Sequence, residues 1–387
     1  MTKAIFVFSA DPITLGHLDI IRKAAAIFDE LIVGVANNPE KKYLFTFQER
    51  LAMVKESVKN IGRIRVEASL GLTVDFALQN KASVIVRGVR TTADLDHELV
   101  YAQMTLSQKT GLQTIFIPAD PKLIHVSSTV VKGIQKDHGL IIDFVPFNVK
   151  AKLEEKMYHQ YFFSITGAIS SGKTTFSNEI THYARNMGVE AHNIEMDKIG
   201  HLILSNHKDP YYRQVREEVA ATFGKEIQND DSSIDRKKLA ALVFENEANL
   251  ARLESIIYDP IRIELNRQTR NLQGLVFITA ALIIEKNLLF RSNNNVILLE
   301  ASEEVRVKRL MASGYTEVEA RNRMRSQWPY ANKVKFTLKK IGEAGYGSLT
   351  EINTDNGYTE ADLKAVWTKI SQIFNNFEAE REKPGVF

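Results

Sequence analysis

The 387-residue chain contains no cysteine, which rules out a disulfide framework, a zinc–thiolate centre and thiol catalysis, and suits a reducing, cytoplasmic setting. It also lacks an apolar run of the roughly 20 residues that a membrane crossing needs. Ala4-Ile5-Phe6-Val7-Phe8 is interrupted by Asp11 before it reaches the length of a signal-peptide core, and Gly274 to Ile284 falls short as well. A soluble, cytoplasmic protein without a membrane partner is the expectation. Nor does charge of one sign dominate. The 50 basic and 47 acidic residues leave a net charge of +3, too even a balance to point to a nucleic acid. What is present, 44% hydrophobic and 25% charged residues, is a globular composition in a chain too long for one ordinary core, so two domains are expected.

Apolar runs with the character of buried strands recur at 4–8, 31–36, 64–68, 84–87 and 114–118, with helical patterns in most of the intervals. This alternation predicts a parallel α/β sheet covered on both faces. The charged segment 149–160 reads as a helix and separates a first domain, 1–150, from a second, 161–387. Runs at 161–166, 189–194, 275–283 and 296–300 predict another α/β domain. Residues 331–347, rich in lysine and glycine without a clear period, read as a mobile excursion before a late strand at 349–353. The tail from Glu378 to Phe387 reads as frayed.

The sharpest local signal is Gly167-Ala168-Ile169-Ser170-Ser171-Gly172-Lys173-Thr174, followed by Thr175, between an apolar strand and a helix. That is the setting of a phosphate-binding P-loop. Glycines let backbone N–H groups approach phosphate oxygens, and the helix start adds positive potential. Lys173 neutralises the β and γ phosphates of ATP, and the Thr174 hydroxyl suits Mg²⁺. Phosphoryl transfer also needs a base for the acceptor hydroxyl. Glu195 and Asp197 are the first acidic residues past the next strand, and Asp197 is the candidate, with a helix-cap role equally open. Arg306, Lys308 and Arg309, then Arg321 and Arg325 on a basic helix, suit a lid over ATP phosphates, against the alternative of a solvated charged face.

From about 161 to 375 the chain resembles dephospho-coenzyme A kinase. The P-loop, Ile194-Glu195-Met196-Asp197, Ile234-Asp235-Arg236-Lys237-Lys238-Leu239 with Phe244, Leu253-Glu254-Ser255-Ile256, and Gln327-Trp328-Pro329 with Lys333 fall in that family's order. The resemblance implies a P-loop kinase fold with a helical lid, and Asp197 as the substrate-binding residue that activates the ribose 3′ hydroxyl of dephospho-CoA. Ala281 stands where the family usually has proline, and Ser313 where a lid arginine is usual.

In the first half a strand ends at Phe8-Ser9-Ala10-Asp11-Pro12, and Ile13-Thr14-Leu15-Gly16-His17 opens a helix. A histidine on a helix's first turn can meet an anionic phosphate, stabilising a transition state and a pyrophosphate leaving group; alone, such a histidine is more often a capping or packing residue. Lys41 and Lys42 follow the second strand, Arg87-Gly88-Val89-Arg90 the fourth, and Ser127-Ser128-Thr129 opens a late helix. All belong to the edge where open α/β sheets place their ligands.

Together with Phe45-Thr46, Gln48-Glu49-Arg50, Ala93-Asp94, Glu98, His138-Gly139, Asp143 and Pro146, these residues make about 3 to 150 resemble pantetheine-phosphate adenylyltransferase, a Rossmann-like nucleotidyltransferase. The resemblance implies direct attack of 4′-phosphopantetheine on the α-phosphate of ATP. His17 and Lys41 would be catalytic. Ser9, Lys41 and Arg87 would hold phosphopantetheine, and Ser9, His17, Arg90, Glu98, Ser127, Ser128 and Thr129 would bind ATP, with Mg²⁺ screening the triphosphate. Phe8 stands where that family has glycine, Ser9 for threonine, Ala10 for an aromatic and Gly133 for glutamate. A side chain at position 8 restricts the close backbone approach that glycine permits.

The two resemblances imply a bifunctional enzyme of the last two steps of coenzyme A synthesis. Two readings stay open beside it: a dephospho-CoA kinase with a degenerate, regulatory first domain, and a nicotinamide-nucleotide adenylyltransferase joined to a riboside kinase. Assembly into a homo-oligomer stays open too.

Overall fold

A computed structural model describes residues 2–244, 246–325 and 327–381. They group into two compact units: the described parts of 1–159, 339–347 and 369–387, and those of 160–338 and 348–368.

The first unit is built on β1 (Lys3–Phe8), α1 (Leu15–Ile27), β2 (Glu30–Ala36), α2 (Phe47–Val58), β3 (Ile64–Ser69), α3 (Thr73–Gln79), β4 (Val84–Val89), α4 (Thr92–Ser107), β5 (Gln113–Pro118), α5 (Ser128–Lys136) and α6 (Phe147–Tyr158). The five strands are all parallel, in the order β3-β2-β1-β4-β5. Because side chains alternate along a strand, Ala4 and Phe6 join Leu31, Val33, Val84 and Val86 on one face. Ile5 and Val7 join Ile32 and Ile85 on the other, where Val74, Phe76 and Ala77 of α3 cover them. The central strands therefore read as unbroken apolar runs, as expected of strands buried on both faces. Gly88 lets β4 lie close to α1, since a Cβ there would meet Ile20 Cγ1 at 2.8 Å. The strand order reverses between β1 and β4, which opens a crevice at their C-terminal ends.

The charged helix α6 is not a solvated linker. Val149 and Leu153 enter the first core, while Lys150, Glu154 and Glu155 are themselves buried.

The second unit comprises β6 (Gln160–Gly167), α7 (Lys173–Asn186), β7 (Ala191–Glu195), α8 (Met196–Leu204), α9 (Pro210–Phe223), α10 (Arg236–Phe244), α11 (Glu247–Thr269), β8 (Gly274–Thr279), β9 (Asn295–Glu300), α12 (Glu303–Ala312), α13 (Glu317–Arg325), α14 (Tyr330–Ala344), β10 (Ser348–Asn353) and α15 (Glu360–Arg381), the last two helices extending past its bounds. Its strands are also all parallel, in the order β10-β9-β6-β8-β7, with β6 at the centre and buried throughout. Ile199, Ile203, Tyr212, Val215, Val219 and Leu265 from α8, α9 and α11 pack on Phe162, Val276, Ile278 and Leu298 of the sheet.

Two expectations are corrected. The apolar run 275–283 is a strand only to Thr279; the chain then turns, with Leu282 exposed and Ile283 and Ile284 in the core. Residues 331–347 are mostly helix α14, not a mobile excursion. The inward stripe of α14 carries Lys333 and Thr337, both buried, beside Tyr330 and Val334, so polar residues interrupt the hydrophobic period that would have marked a helix. Of the tail read as frayed, 378–381 ends α15 and 382–387 lies outside the described residues. Among the described residues no helix is long and apolar enough to cross a membrane.

Candidate active sites

In the first unit the loop after β1, the start of α1, the loop after β2, the loop after β4 and the start of α5 are tied together at the switch point. Thr14 caps α1 and forms a reciprocal box with His17: the His17 N–H donates to Thr14 Oγ1 at 3.4 Å, and the Thr14 N–H donates to His17 Nδ1 at 3.1 Å. Nδ1 is therefore an acceptor, and the ring proton resides on Nε2. Burial, with the Arg90 guanidinium nearby, pushes the imidazole from its ordinary 6.5 down to about 4. At neutral pH His17 is thus an uncharged N–H donor at the positive end of a helix. The Phe8 ring stacks on that of His17, centroids 4.5 Å apart.

Asp11 organises the neighbouring loops. Its carboxylate accepts from the Leu44 and Phe45 amides at 3.0 to 3.1 Å and pairs with Lys132 Nζ at 2.6 Å. Arg50, 1% exposed, donates to Ser9 O at 2.5 Å, Ala36 O at 2.8 Å and Asn37 Oδ1 at 2.8 Å. It thereby clamps the C-terminal ends of β1 and β2. Ser127 caps α5, accepting from Val130 N at 3.2 Å, and Ser128 Oγ donates to Pro12 O at 2.8 Å. Arg90 pairs with Asp94 at 2.8 Å and donates to Val126 O at 3.2 Å, at the doorstep of α5. These bonds bring His17, Ser9, Arg90, Ser127 and Ser128 to one edge, with the exposed Thr129 on the first turn of α5. Lys41 stands exposed on the loop after β2. Arg87 and Glu98 pair directly with each other, and Arg87 lies over the Tyr101 ring at 5.1 Å. Two helix starts and a neutral imidazole suit this edge to an anionic phosphate.

In the second unit the P-loop runs from β6 into α7. Gly167 has φ 155°, and a Cβ there would meet Leu299 O at 2.4 Å; Gly172, at φ 84°, is the residue from which α7 starts. Both conformations are open to glycine and costly for other residues. Lys173 Nζ folds back to Ala168 O at 2.8 Å. Burial pushes its ammonium down to about 8, opposed by Asp197 and Glu285 and aided by Lys333 and Arg306. A phosphate would replace that carbonyl with full charge and restore the proton. The hydroxyls of Thr174 and Thr175 face outward on the first turn of α7. Ser171 is wholly buried, and its Oγ has no partner.

Asp197 lies exposed on the first turn of α8, within electrostatic reach of Lys173. Glu285 and Lys333 form a buried pair at 2.8 Å, with side chains 8% and 1% exposed. The segment carrying Lys333 is stitched to the P-loop: Gln327 Oε1 accepts from the Ile169 N–H at 2.7 Å, and the Trp328 N–H reaches Glu285 Oε1 at 3.4 Å. Of the arginines expected in a lid, Arg309 donates to Ser170 O at 3.1 Å and to Thr354 O at 2.5 Å, which places it at the P-loop. Arg321 is held outward by Glu303 and Glu317, and Arg325 is exposed. Helices α12 and α13 share a small apolar cluster, Val307, Leu310, Ala320 and Met324, against which Ile169 of the P-loop packs.

Residues 161–342 match the family model described as dephospho-CoA kinase, and residues 5–134 the one described as cytidylyltransferase-like. The phosphopantetheine adenylyltransferase of Brucella anthropi is 42% identical across 40% of this chain and 98% of its own length. That of Herpetosiphon aurantiacus is 39% identical across 40% of this chain and 94% of its own. A solved structure of NadR with NAD and AMP-PNP covers 100% of this chain and 98% of its own, at 16% identity and a TM-score of 0.31, too loose a superposition to carry an argument. The chain belongs to the phosphopantetheine adenylyltransferase family. That membership rests on its N-terminal part, and a dephospho-CoA kinase domain follows in the same chain. A nucleotidyltransferase and a kinase are thus fused, a pairing that favours coenzyme A synthesis over the nicotinamide-nucleotide and regulatory-domain readings.

Several residues that shape the two sites were given no role on sequence grounds. Asp11 and Lys132 pair across 121 positions, a separation that no local pattern reveals. Arg50, Gln327 and Lys333 stood inside recognisable motifs, yet nothing in the motif says that they clamp loops. Glu285, at the end of an apolar run, offered the one legible signal, an acidic residue that α/β packing leaves buried.

Proposed function

We propose that the chain makes coenzyme A from 4′-phosphopantetheine in two ATP-dependent steps. In the first, a phosphate oxygen of phosphopantetheine attacks the α-phosphorus of ATP, the bond to the β-phosphate breaks, and dephospho-CoA and pyrophosphate are released. The His17 Nε2–H donates to the α-phosphate oxygens as charge builds on them, a role suited to a neutral imidazole because it need not surrender its proton. Arg90 and the amides at the start of α5 hold the triphosphate; Ser9, Lys41 and Arg87 hold the phosphopantetheine phosphate, Glu98 yielding Arg87 to it.

In the second step the 3′ hydroxyl oxygen of dephospho-CoA attacks the γ-phosphorus of a second ATP, its proton passes to Asp197, and ADP leaves. The P-loop amides and Lys173 hold the phosphates, and Arg309, Arg321 and Arg325 serve as the lid cations. The hydroxyl of Thr174, exposed at the start of α7 with no hydrogen bond among the described residues, fits Mg²⁺, which neutralises triphosphate charge when bound.

The observation that carries this reading is the pairing of a neutral imidazole on one switch-point helix with a P-loop lysine on another. Substrate discrimination tests it: the chain should consume phosphopantetheine and ATP with release of pyrophosphate and leave nicotinamide mononucleotide untouched. Turnover of nicotinamide mononucleotide alone would overturn it.

A further inference from the structure

His17 is held in its ring plane by the Thr14 N–H, 3.1 Å from Nδ1. Thr14 Oγ1 also approaches Nδ1 at 2.9 Å, but both contacts meet the same ring nitrogen and leave the imidazole free to tilt about it. The second restraint comes from β1. The Phe8 ring lies face-on against the imidazole, 4.5 Å between centroids and 13° from parallel. Phe8 is in turn stacked on Phe6 at 4.9 Å and 30°, and Phe6 is 5% exposed, part of the first core. Three rings thus run from the core to the site, and the Nε2–H is the one polar group of the imidazole left to donate outward.

We infer that Phe8 is a positioning residue for adenylyl transfer: its ring fixes the plane of His17 and aims Nε2–H at the transferring phosphate. This rests on the reading of His17 as the residue that meets that phosphate. It inverts the expectation that a side chain at position 8 obstructs the site, because the ring folds against the imidazole. The stack also keeps water from one face of the imidazole. The charged group acting on the ring is Arg90, from the loop after β4.

The test uses the full chain carrying Phe8→Leu, Phe8→Gly or Phe8→Tyr. Adenylyl transfer is assayed with ATP, Mg²⁺ and 4′-phosphopantetheine, and ¹⁵N spectra of the His17 imidazole are recorded against pH. Loss of the planar face should lower kcat about tenfold while the KM for ATP changes by less than about twofold, and Phe8→Tyr should restore most of the rate. In Phe8→Gly, which opens one face of the imidazole to water, the ring should titrate above the value of about 4 of the parent chain, toward 6.5. A Phe8→Gly protein as fast as the parent would overturn the inference, as would a slow Phe8→Gly protein whose imidazole titrates as it does in the parent chain. If the parent chain transfers no adenylyl group, the functional reading fails, and the spectra still decide whether the ring sets the state of His17.

Discussion

Replacing Arg50 with methionine would remove the clamp between β1 and β2 while keeping the apolar stem of the side chain. The guanidinium makes three hydrogen bonds, to Ser9 O, Ala36 O and Asn37 Oδ1, and lies 3.8 Å from the Tyr43 ring centroid. A hydrogen bond from a charged donor contributes about 1.5–3 kcal/mol. Asn37 is exposed, so water replaces that bond, whereas the two carbonyls lose their donor in a largely desolvated place. The loss comes to about 3–5 kcal/mol, a large share of the roughly 5–15 kcal/mol that holds a domain together. At about 2–4 °C per kcal/mol, the first domain should melt about 10 °C lower. Calorimetry of the full chain, with phosphorylation of supplied dephospho-CoA as the control for the second domain, reads the effect. A shift under about 2 °C with adenylyl transfer unimpaired would refute the reasoning.

Lys173 should take up a proton when ATP binds. With its ammonium near 8 in the free protein, about three quarters of the lysines are neutral at pH 8.5 and become charged beside phosphate, so calorimetry in buffers of different ionisation enthalpy should show uptake of about 0.75 proton; zero uptake would contradict the burial argument. For His17 the folded value, about 4, lies below the ordinary 6.5. Between those values the unfolded chain binds the proton and the folded one does not, so the first domain should lose stability as pH falls from 6.5 to 4. Adenylyl transfer should then show no His17 inflection between pH 6 and 8. Lys333→Met should cost the second domain about 3–5 kcal/mol by leaving Glu285 buried and uncompensated. The double variant Lys333→Met with Glu285→Met should recover most of that loss; a double-variant loss equal to the sum of the two single-variant losses would show that the pair is not coupled.

Strands β1, β2 and β6 were legible because both faces of each are buried, which turns the strand into a continuous apolar run. The P-loop was legible because its chemistry is local, four residues between its defining glycines and a lysine at the helix start. Helix α14 was not, since Lys333 and Thr337 occupy its inward stripe and break the period. The Asp11 network was not either, because its partners Leu44, Phe45 and Lys132 lie 33 to 121 positions away. Phe8 shows a different limit. Its identity and strand position were plain, but the direction of its ring is set by packing against Phe6 and His17, which no local pattern reveals.

The most direct test of the account is product analysis by mass spectrometry after incubating ATP, Mg²⁺ and 4′-phosphopantetheine with the intact chain and with its Lys173→Ala and His17→Ala variants. The account predicts coenzyme A from the intact chain, accumulation of dephospho-CoA with Lys173→Ala, and with His17→Ala unconsumed phosphopantetheine together with normal phosphorylation of supplied dephospho-CoA. An intact chain that converts supplied dephospho-CoA but never phosphopantetheine would contradict it.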